Sequence, residues 1–445
     1  MLREAWTLAI ETLSWIELQR LGERLALTKA ARQLKIQDAK VVGLAHKLVF
    51  EALRRRNLLD FIINQTLAPH TLEDFKLGPQ AFLRLYTYET RFVNGGFAKA
   101  GSIARLGRSI LGWRALKEVE EALGRILSIP FDKALKRVGD EEGVALLTYN
   151  PLWFVKCCFQ LLGRSEALRF LESATQPSPV YLRINTLKAP EENILKKLES
   201  EGIQTEKVPQ LVHTFKLIEA KKPLVRTRSF REGHFYIQDM ASCLAAEIAN
   251  PEPKTTVLDI CAAPGAKTTY IAQLMQNQGE IYSIDYSKRR MHVWKRQMKR
   301  MGIKIAVPVI ADACHPLPLR LSADLVVLDP PCTSTGAFSK MPSAKWRLTK
   351  RSVLHMAGIQ WRMLQQCAEH VKEGGHLIYS TCSVTLEENE MLIEKFLKWH
   401  PEFTLAETQP RIGLPGLRGQ AKCQRLYPHL HNCNGFFIAK LLRAA

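Results

Sequence analysis

Strand-like apolar stretches alternate with helical stretches through the carboxyl-terminal half of the chain, and this alternation restricts the fold more than any other feature. The runs TTVLDI, EIYSID and ADLVVLD are each followed by a turn or loop and then by a helical pattern. Parallel neighbours in a sheet need a long crossover connection, usually a helix. Residues 236–445 are therefore predicted to form an α/β fold, a parallel sheet wrapped by helices.

Two regions of different character precede this part. Residues 1–145 carry apolar positions at helical spacing, punctuated by Gly95-Gly96 and Pro130, which predicts an all-helical bundle with its own core. Residues 150–235 combine helical segments with the strand VYLRINTL and further strand-like pieces, which predicts a small α+β domain. A chain of 445 residues has room for these separate cores.

Charge and hydropathy restrict the partners and the compartment. The formal net charge is +20 at pH 7, which favours a polyanionic partner such as a nucleic acid. There is no run of 18 apolar residues and no visible signal peptide, so we expect a cytoplasmic protein without a membrane span. The ten cysteines include no CxxC pair, which is typical of reduced intracellular thiols. The spacing of Cys423 and Cys433 with His429 and His431 fits no common zinc pattern, and no metal is expected.

Carboxylates stand where several predicted strands end. Asp259, Asp285 and Asp312 end three successive strands, and Asp329 ends the strand in LVVLDPPCTSTG. Open α/β sheets bind ligands beyond the carboxyl ends of their strands, and an acid after the second strand suits the two hydroxyls of a ribose. Asp285 alone is equally well explained as a helix cap. Together the acids favour a nucleoside-bearing cofactor, although the turn around Gly265 matches neither GxGxxG nor a phosphate-binding loop.

Two cysteines also end strands of this kind. Cys332 follows Asp329 and a pair of prolines, and Cys382 lies in YSTCSVT. A single buried cysteine is more often a small apolar residue than a reactive one. Two thiols at strand ends beside an acid reverse that preference and predict a reactive site.

A strongly basic helix follows Asp285. Met291, Trp294, Met298 and Met301 form an apolar stripe that is predicted to face the core, and eight Lys and Arg residues with no acid lie between positions 286 and 304. Cations that repel one another suit a phosphate backbone better than water. We expect phosphate contacts from this helix and from Lys340, Lys345, Arg347, Lys350 and Arg351.

Four ordered motifs now identify a family. CAAPGAKT, LDPPCTSTG with MPSAKWR after it, GGHLIYSTCSVTLEENE and RLYPHLHNCNGFFIAKL together resemble the Sun-type (RsmB-like) family of RNA cytosine-5 methyltransferases. RINTLK matches the small domain of this family, and residues 1–145 resemble the NusB-like RNA-binding domain of its bacterial small-subunit rRNA enzymes. The resemblance implies a Rossmann-like class I methyltransferase domain over 236–445, an RRM-like α+β domain over 150–235, and a NusB-like bundle.

The resemblance also implies roles for individual residues. Cys382 is expected to be the nucleophile, Cys332 to assist product release, and Asp329 to bind and activate the cytosine. S-adenosylmethionine is expected to be held by the turn and by the acids with their basic neighbour: Cys261, Ala262, Ala263, Pro264, Gly265, Ala266, Lys267, Asp285, Arg290, Asp312 and Asp329. RNA contacts are expected from Arg183, Asn185, Lys288, Arg289, Lys295, Arg296, Lys299, Lys345 and Arg347. Ala266 and Asn434 depart from the family pattern, which has Gly and commonly Asp there.

Several alternatives stay open at this point. The substrate is expected to be 16S rRNA, but relatives in the family act on tRNA too. A DNA cytosine methyltransferase would use Cys332 as its nucleophile instead of Cys382. A non-catalytic RNA-binding or ribosome-assembly factor is a third possibility. We expect a monomer.

Overall fold

A computed structural model describes residues 1–130, 135 and 138–445, and it divides the chain into two compact units. The first unit comprises Met1–Gln176 with Phe338–Thr349, and the second comprises Pro177–Ala337 with Lys350–Ala445. A short segment from the carboxyl-terminal half thus belongs to the amino-terminal unit, which the sequence did not predict. The three-domain division at 1–145, 150–235 and 236–445 stays a prediction.

Within its described residues, the first unit is helical wherever it has regular structure. Its α-helices are Leu2–Gln19, Glu23–Gln33, Ala39–Arg54, Arg56–Leu67, Leu77–Arg91, Gly96–Leu111, Trp113–Leu116, Glu120–Ser128, Asp140–Leu147, Leu152–Ser173 and Pro342–Lys345. Two short 3-10 helices, Leu72–Asp74 and Lys117–Val119, lie between them. The apolar positions at helical spacing form one continuous core, in which Trp6 and Phe82 have ring centroids 6.0 Å apart.

The segment Phe338–Thr349 is held in the first unit by specific contacts. The Phe338 ring lies 4.9 Å from Phe154, and Trp346 Nε1 donates to the carbonyl of Leu53 at 2.6 Å. Lys345 is 3% exposed and donates to the carbonyls of Arg54 and Tyr149. Because its ammonium is turned inward, the prediction that Lys345 contacts RNA is wrong. Burial lowers the pKa of Lys345 well below its ordinary value.

The second unit begins with a four-stranded antiparallel sheet in the order β2–β3–β1–β4. Its strands are β1 (Tyr181–Ile184), β2 (Ile203–Lys207), β3 (Thr214–Ala220) and β4 (Phe235–Ile237), and its α-helices are Glu191–Ser200 and Arg228–Glu232. A 3-10 helix covers Leu224–Arg226. The helices and strands enclose a small core that includes Leu182, Ile184, Ile194, Leu198, Phe215 and Phe235. This is the α+β architecture that the sequence predicted.

Two predicted RNA contacts in this small sheet are buried instead. Arg183 is fully buried, donates to Thr269 Oγ1 at 2.8 Å and stacks on the Tyr270 ring. Burial lowers its pKa to about 10. Asn185 donates to the carbonyls of Gly233 and Met301 at 2.8 and 2.9 Å. Both side chains hold neighbouring segments together, so the prediction that they contact RNA is wrong.

A larger sheet of nine strands follows, with the order β11–β12–β13–β9–β8–β5–β6–β7 and with β10 paired to β13. Its strands are β5 (Thr256–Ile260), β6 (Glu280–Ile284), β7 (Ala306–Val309), β8 (Ala323–Leu328), β9 (Val371–Thr381), β10 (Phe403–Ala406), β11 (Leu414–Pro415), β12 (Gln424–Leu426) and β13 (Phe436–Arg443). The α-helices of this part are Met240–Ala249, Ala266–Leu274, Lys288–Met301, Lys350–Glu369, Glu390–Trp399 and Pro428–His431, and Thr335–Ala337 is a 3-10 helix.

The strands β7, β6, β5, β8 and β9 are parallel, as the alternation of strands and helices predicted. Strand β13 runs antiparallel to β9, and the remaining strands extend the sheet beyond it in antiparallel pairs. Core clusters lie on either side of the parallel strands. The α/β, Rossmann-like fold class is confirmed, with an antiparallel extension that the sequence did not predict.

Membrane-spanning helices and metal-ligand clusters are both absent from the described ranges. No helix in them combines the length and the apolar character that crossing a membrane would require. No three or more of their His, Cys, Asp or Glu side chains lie where they would hold a metal ion.

Candidate active site

The register of the parallel strands brings the predicted site residues to one edge of the sheet. Ile260 pairs with Ile284 on one side and with Leu328 on the other, so the chain leaves β5, β6 and β8 at the same level. Cys261, Asp285 and Asp329 are the residues that follow these strand ends. On β9, Tyr379 pairs with Leu328, so the end of this strand reaches the same edge.

The two strand-end thiols are in contact. Cys382 Sγ lies 3.2 Å from Cys332 Sγ and 3.3 Å from Ser334 Oγ, and both cysteines are free. The hydrogen bond from Cys332 lowers the pKa of Cys382, and Ser334 and the positive charge of Lys267 act in the same direction. The same contact raises the pKa of Cys332 well above its ordinary value, with burial adding to the effect. Ser334 Oγ lies closer to Cys382 Sγ than to Cys332 Sγ, at 3.3 against 3.8 Å, and this asymmetry favours ionisation of Cys382.

Lys267 and Asp329 form an ion pair beside the thiols. Lys267 Nζ lies 2.6 Å from Asp329 Oδ2 and 3.3 Å from Ser242 Oγ, and its side chain is almost buried. Ser380 at the end of β9 donates to the other carboxylate oxygen of Asp329 at 3.4 Å. From the sequence, Lys267 was predicted only as part of the cofactor-binding turn. Its pairing with Asp329 was not predicted, because the two residues are far apart in the chain.

The turn after β5 is tightly packed. Gly265 precedes the helix Ala266–Leu274 and has a φ of +107°, a conformation that favours glycine. A Cβ at this position would lie 2.6 Å from Met298 Cε and 3.1 Å from Trp294 Cδ1. The basic helix Lys288–Met301 therefore supports the turn through its apolar stripe, as the buried Met291, Trp294 and Met298 indicate. Burial raises the pKa of the Cys261 thiol well above its ordinary value.

Asp285 is a buried acid with an unused acceptor. Its Oδ1 accepts the backbone N–H of Ser287 at 3.0 Å. The cap of the following helix is Ser287 and not Asp285, because the Ser287 hydroxyl accepts the backbone N–H of Arg290. Its Oδ2 accepts no hydrogen bond, although Arg290 Nη1 lies 3.2 Å away. Arg290 also donates to the carbonyl of Ala263 and so joins this acid to the turn. A buried carboxylate oxygen without a donor suits a hydroxyl group of a ligand.

The remaining predicted cofactor residues differ in their surroundings. Asp312 is exposed, and its Oδ1 accepts the backbone N–H of Cys314 at 2.9 Å, so it caps a turn. Ala266 lies at the start of its helix, where its carbonyl accepts from Arg183 at 3.4 Å. The backbone N–H of Asn434 donates to Asp239 at 3.2 Å, a contact that does not depend on the side chain at this departure from the family pattern.

Two carboxylates outside the predicted set hold the cysteine loops. Glu388 is fully buried and accepts from Thr333 and Ser383, the neighbours of the two cysteines. Glu390 is also fully buried and forms an ion pair with Arg425, whose Nη1 donates to the carbonyl of Val384 at 2.8 Å. Both acids stand in the motif TLEENE, but no local pattern shows that a glutamate points inward.

The five basic residues predicted to contact RNA from Lys288–Met301 are exposed: Lys288, Arg289, Lys295, Arg296 and Lys299. Arg300 differs from them, because it donates to the carbonyls of Phe230 and Phe235 at 2.8 and 3.1 Å. Arg347, in the first unit, is exposed and donates to the carbonyl of Arg20. The helix thus presents a basic face, and its role in RNA binding stays a prediction.

The sheet order is that of a Rossmann-like methyltransferase, and comparisons with known proteins make the assignment specific. A model of the family described as 16S rRNA methyltransferase RsmB/F matches residues 246–442, and a model of the RsmF/B-like ferredoxin-like domain matches residues 150–222. A probable ribosomal RNA small subunit methyltransferase B from Synechocystis is 30% identical over 426 residues, which are 89% of this chain and 90% of that protein. The chain belongs to the RsmB/F methyltransferase family.

Two further comparisons extend this result. A tRNA (cytosine(72)-C(5))-methyltransferase from Pyrococcus horikoshii is 39% identical over 225 residues, 49% of this chain and 54% of that protein. The chain thus spans only about half the length of this relative. The crystal structure of PH0851 superposes with a TM-score of 0.84 and 29% sequence identity, and the match covers 99% of this chain and 98% of that one. The protein is a methyltransferase of the group whose named members modify carbon 5 of cytosine in RNA.

Proposed function

We propose that this protein transfers a methyl group from S-adenosylmethionine to carbon 5 of a cytosine in RNA, through a covalent bond between Cys382 and carbon 6 of the base. The observation that supports it most directly is the contact of the Cys382 and Cys332 sulfurs at 3.2 Å, beside the Lys267–Asp329 pair. A buried thiol taken alone is usually a small apolar residue, but two thiols in contact beside an acid at adjoining strand ends support a reactive site.

The reaction needs a nucleophile because carbon 5 of cytosine is too weakly nucleophilic to take a methyl group directly. The Cys382 thiolate forms a bond to carbon 6, and the electron pair of the 5,6 double bond moves into the ring and toward N3. The resulting enamine-like ring is nucleophilic at carbon 5. S-adenosylmethionine supplies an electrophilic methyl group when bound. A base then removes the proton from carbon 5, and the bond between Cys382 and carbon 6 breaks to restore the double bond and release the thiolate.

The surroundings of Cys382 suit this role. The donors near its sulfur stabilise the thiolate by lowering its pKa, so a larger fraction is ionised near neutral pH than for an ordinary thiol. Asp329, paired with Lys267, is proposed to bind and activate the cytosine: its carboxylate can accept from the exocyclic amine, and from N3 once that nitrogen takes up a proton as the thiolate adds to the ring. Cys332, whose raised pKa keeps it protonated, is proposed to take part in the elimination that frees the product.

The residues around the turn after β5 fit S-adenosylmethionine. We propose that Asp285 Oδ2 accepts from a ribose hydroxyl of the donor, because it is a buried acceptor without a hydrogen bond. Arg290 and the segment Cys261–Lys267 are proposed to complete this site. Asp312 is proposed to face the adenine, and its exposure leaves it accessible to a ligand.

RNA is proposed to be held by exposed cations. A cytosine inside a duplex cannot reach Cys382, so the base must be unpaired or flipped out, at a cost of a few kcal/mol. The five exposed cations of Lys288–Met301 are proposed to offset this cost through the flanking phosphates. The amino-terminal helical bundle and the small antiparallel sheet are proposed as further RNA-binding parts. Ten free cysteines support action in a reducing compartment, the cytoplasm.

We favour 16S rRNA as the substrate, because the Synechocystis relative matches over nine tenths of both chains and is named for the small ribosomal subunit. tRNA is the second candidate, because the Pyrococcus horikoshii relative named for tRNA is more nearly identical, at 39%, over a shorter range. Bisulfite sequencing of rRNA and tRNA from cells with and without the gene distinguishes them. Loss of one 5-methylcytosine from 16S rRNA is expected, and loss from tRNA alone would reassign the substrate.

The assignment of the two thiols is tested with Cys→Ala variants. We expect Cys382→Ala to lose both methyl transfer and the covalent RNA complex, because no sulfur then adds to carbon 6. We expect Cys332→Ala to accumulate the complex, because release of the product is slowed. The complex is measured by denaturing gel electrophoresis with labelled RNA and S-adenosylmethionine.

The same variants distinguish the alternatives. An adduct that persists in Cys382→Ala and is lost in Cys332→Ala would support the DNA-type arrangement of the nucleophile. A wild-type protein that shows no binding of S-adenosylmethionine by calorimetry would support a non-catalytic RNA-binding factor.

A further inference from the structure

One fully buried carboxylate joins the two loops that hold the thiols. Glu388 Oε1 accepts the backbone N–H of Thr333 at 2.8 Å, and its Oε2 accepts the hydroxyls of Thr333, Ser383 and Thr385, the last two at 2.6 and 2.9 Å. Thr333 is the residue after Cys332, and Ser383 is the residue after Cys382. The carboxylate therefore bridges the positions next to both sulfurs.

A glutamine completes the bridge from the other side. Gln360 Nε2 lies 3.0 Å from Glu388 Oε1 and 3.0 Å from the carbonyl of Pro331, and the Gln360 side chain is fully buried. The amide thereby ties the residue before Cys332 to the same carboxylate. The backbone on both sides of Cys332 is thus anchored to Glu388.

The donor set selects a carboxylate at this position. Five donors converge on the two oxygens of Glu388. Two of them, the backbone N–H of Thr333 and the side-chain amide N–H of Gln360, can only donate and therefore need an acceptor at this position. A carboxylate offers an acceptor on both oxygens, whereas the amide of a glutamine offers one acceptor oxygen and a donor. A buried polar group is costly unless it is hydrogen-bonded, and both oxygens of Glu388 are.

We infer that Glu388 is a positioning residue that sets the separation of the Cys332 and Cys382 sulfurs by holding Thr333 and Ser383 on one carboxylate. Glu388 touches neither sulfur and acts through the two loops. Its effect on methyl transfer rests on the proposed function, whereas its effect on the thiols does not. If the loops move apart, the hydrogen bond between the sulfurs is lost, and with it one of the contacts that lower the pKa of Cys382.

The test uses the variant Glu388→Gln in the whole 445-residue chain, with Glu387→Gln as the matched control, since Glu387 accepts none of these five hydrogen bonds. The glutamine keeps the shape of the side chain but offers an NH2 group to donors on one side. We expect kcat to fall about tenfold or more with KM for RNA changed less than about twofold, because misplaced groups weaken chemistry more than binding. Glu387→Gln is expected to behave like the wild type.

The decisive readout is independent of methyl transfer. The rate of alkylation of Cys382 by iodoacetamide is measured against pH, with the modified peptide identified by mass spectrometry. In Glu388→Gln the midpoint of this profile is expected to move upward by about one pH unit, because the lost hydrogen bond no longer favours the thiolate. An unchanged profile in a folded variant would overturn the inference, whatever happens to kcat.

A second variant covers the case in which Glu388→Gln does not fold. Ser383→Ala removes one donor next to Cys382 and leaves the carboxylate in place, so the midpoint is expected to move in the same direction by a smaller amount. No movement in Ser383→Ala would then overturn the inference. Absence of methyl transfer by the wild-type protein would reject the proposed function, while the alkylation profiles would still decide the role of Glu388.

Discussion

Ser334 is the hydroxyl nearest to the proposed nucleophile. Its Oγ lies 3.3 Å from Cys382 Sγ and 3.8 Å from Cys332 Sγ, and its φ of +55° is uncommon for a residue other than glycine. A backbone conformation of this kind persists only where the surrounding contacts impose it. The loop thus holds a hydroxyl against the sulfur at some cost in local conformation.

We predict that Ser334→Ala raises the pKa of Cys382, because one of the hydrogen bonds that lowers it is removed. At low pH the lower pKa gives the wild type a larger fraction of thiolate than the variant has. The variant's loss of rate is therefore largest at low pH and disappears above the pKa of an ordinary thiol, where both proteins are ionised. A loss of about two- to tenfold in rate at neutral pH is expected for one hydrogen bond. Single-turnover methyl transfer measured across pH tests this.

The control for that experiment is Ser322→Ala, which removes an exposed hydroxyl from the same unit. A deficit in Ser334→Ala that is the same at every pH would contradict the proposed effect on ionisation and indicate a purely steric one.

Cations show how far single residues could be predicted from the sequence. The spacing of charges on Lys288–Met301 correctly separated an exposed face from a buried stripe, because both lie on one helix. Arg183, Asn185 and Lys345 are buried by residues far away in the chain, which their local pattern does not reveal. The pairing of Lys267 with Asp329 was missed for the same reason.

The turn between β5 and the helix Ala266–Leu274 shows how one element depends on another. Its glycine adopts a φ of +107° and leaves no room for a Cβ against Met298. The motif CAAPGAKT predicted the turn and its glycine from the sequence. The support from Met298 and Trp294 required the fold, since the two helices meet only when β5 and β6 pair.

We predict that Gly265→Ala destabilises the second unit and weakens binding of S-adenosylmethionine. The added methyl would lie 2.6 Å from Met298 Cε in a conformation that strains an L residue. Overpacking with backbone strain is expected to cost about 1–3 kcal/mol. Differential scanning calorimetry and isothermal titration with the cofactor measure the two effects.

Gly358→Ala is the matched control for this prediction. Gly358 lies within the helix Lys350–Glu369, and a Cβ there would meet nothing within 4 Å. The substitution is expected to be neutral or to stabilise by about 0.5–1 kcal/mol, because alanine favours the helix interior. Equal effects of the two substitutions would contradict the role assigned to the turn.

The excess of positive charge belongs to the molecule as a whole, and its consequence is a dependence of RNA binding on salt. We predict that the double variant Lys295→Gln with Lys299→Gln weakens RNA binding at low salt. The slope of log K against log salt is expected to decrease in magnitude by about 1.4, because each single-strand phosphate that is no longer neutralised accounts for about 0.7. Fluorescence anisotropy with labelled RNA at several KCl concentrations measures the slope.

A second double variant provides the charge-matched control. Lys395→Gln with Lys398→Gln removes two exposed charges from the helix Glu390–Trp399 of the same unit. A general effect of net charge would change both slopes equally. Equal slopes of log K against log salt in the two double variants would therefore contradict a specific phosphate contact at Lys288–Met301.

Local patterns were sufficient to predict the succession of strands and helices, the α/β class and the strand ends where acids and thiols stand. Periodicity and turn residues report on neighbours within a few positions, and those neighbours decide secondary structure. The antiparallel strands after β9 and the grouping of Phe338–Thr349 with the helical unit were not predictable in this way. Burial of Glu388 and contact between two sulfurs 50 positions apart arise from packing between distant segments, because hydrogen bonds and desolvation act through space and not along the chain.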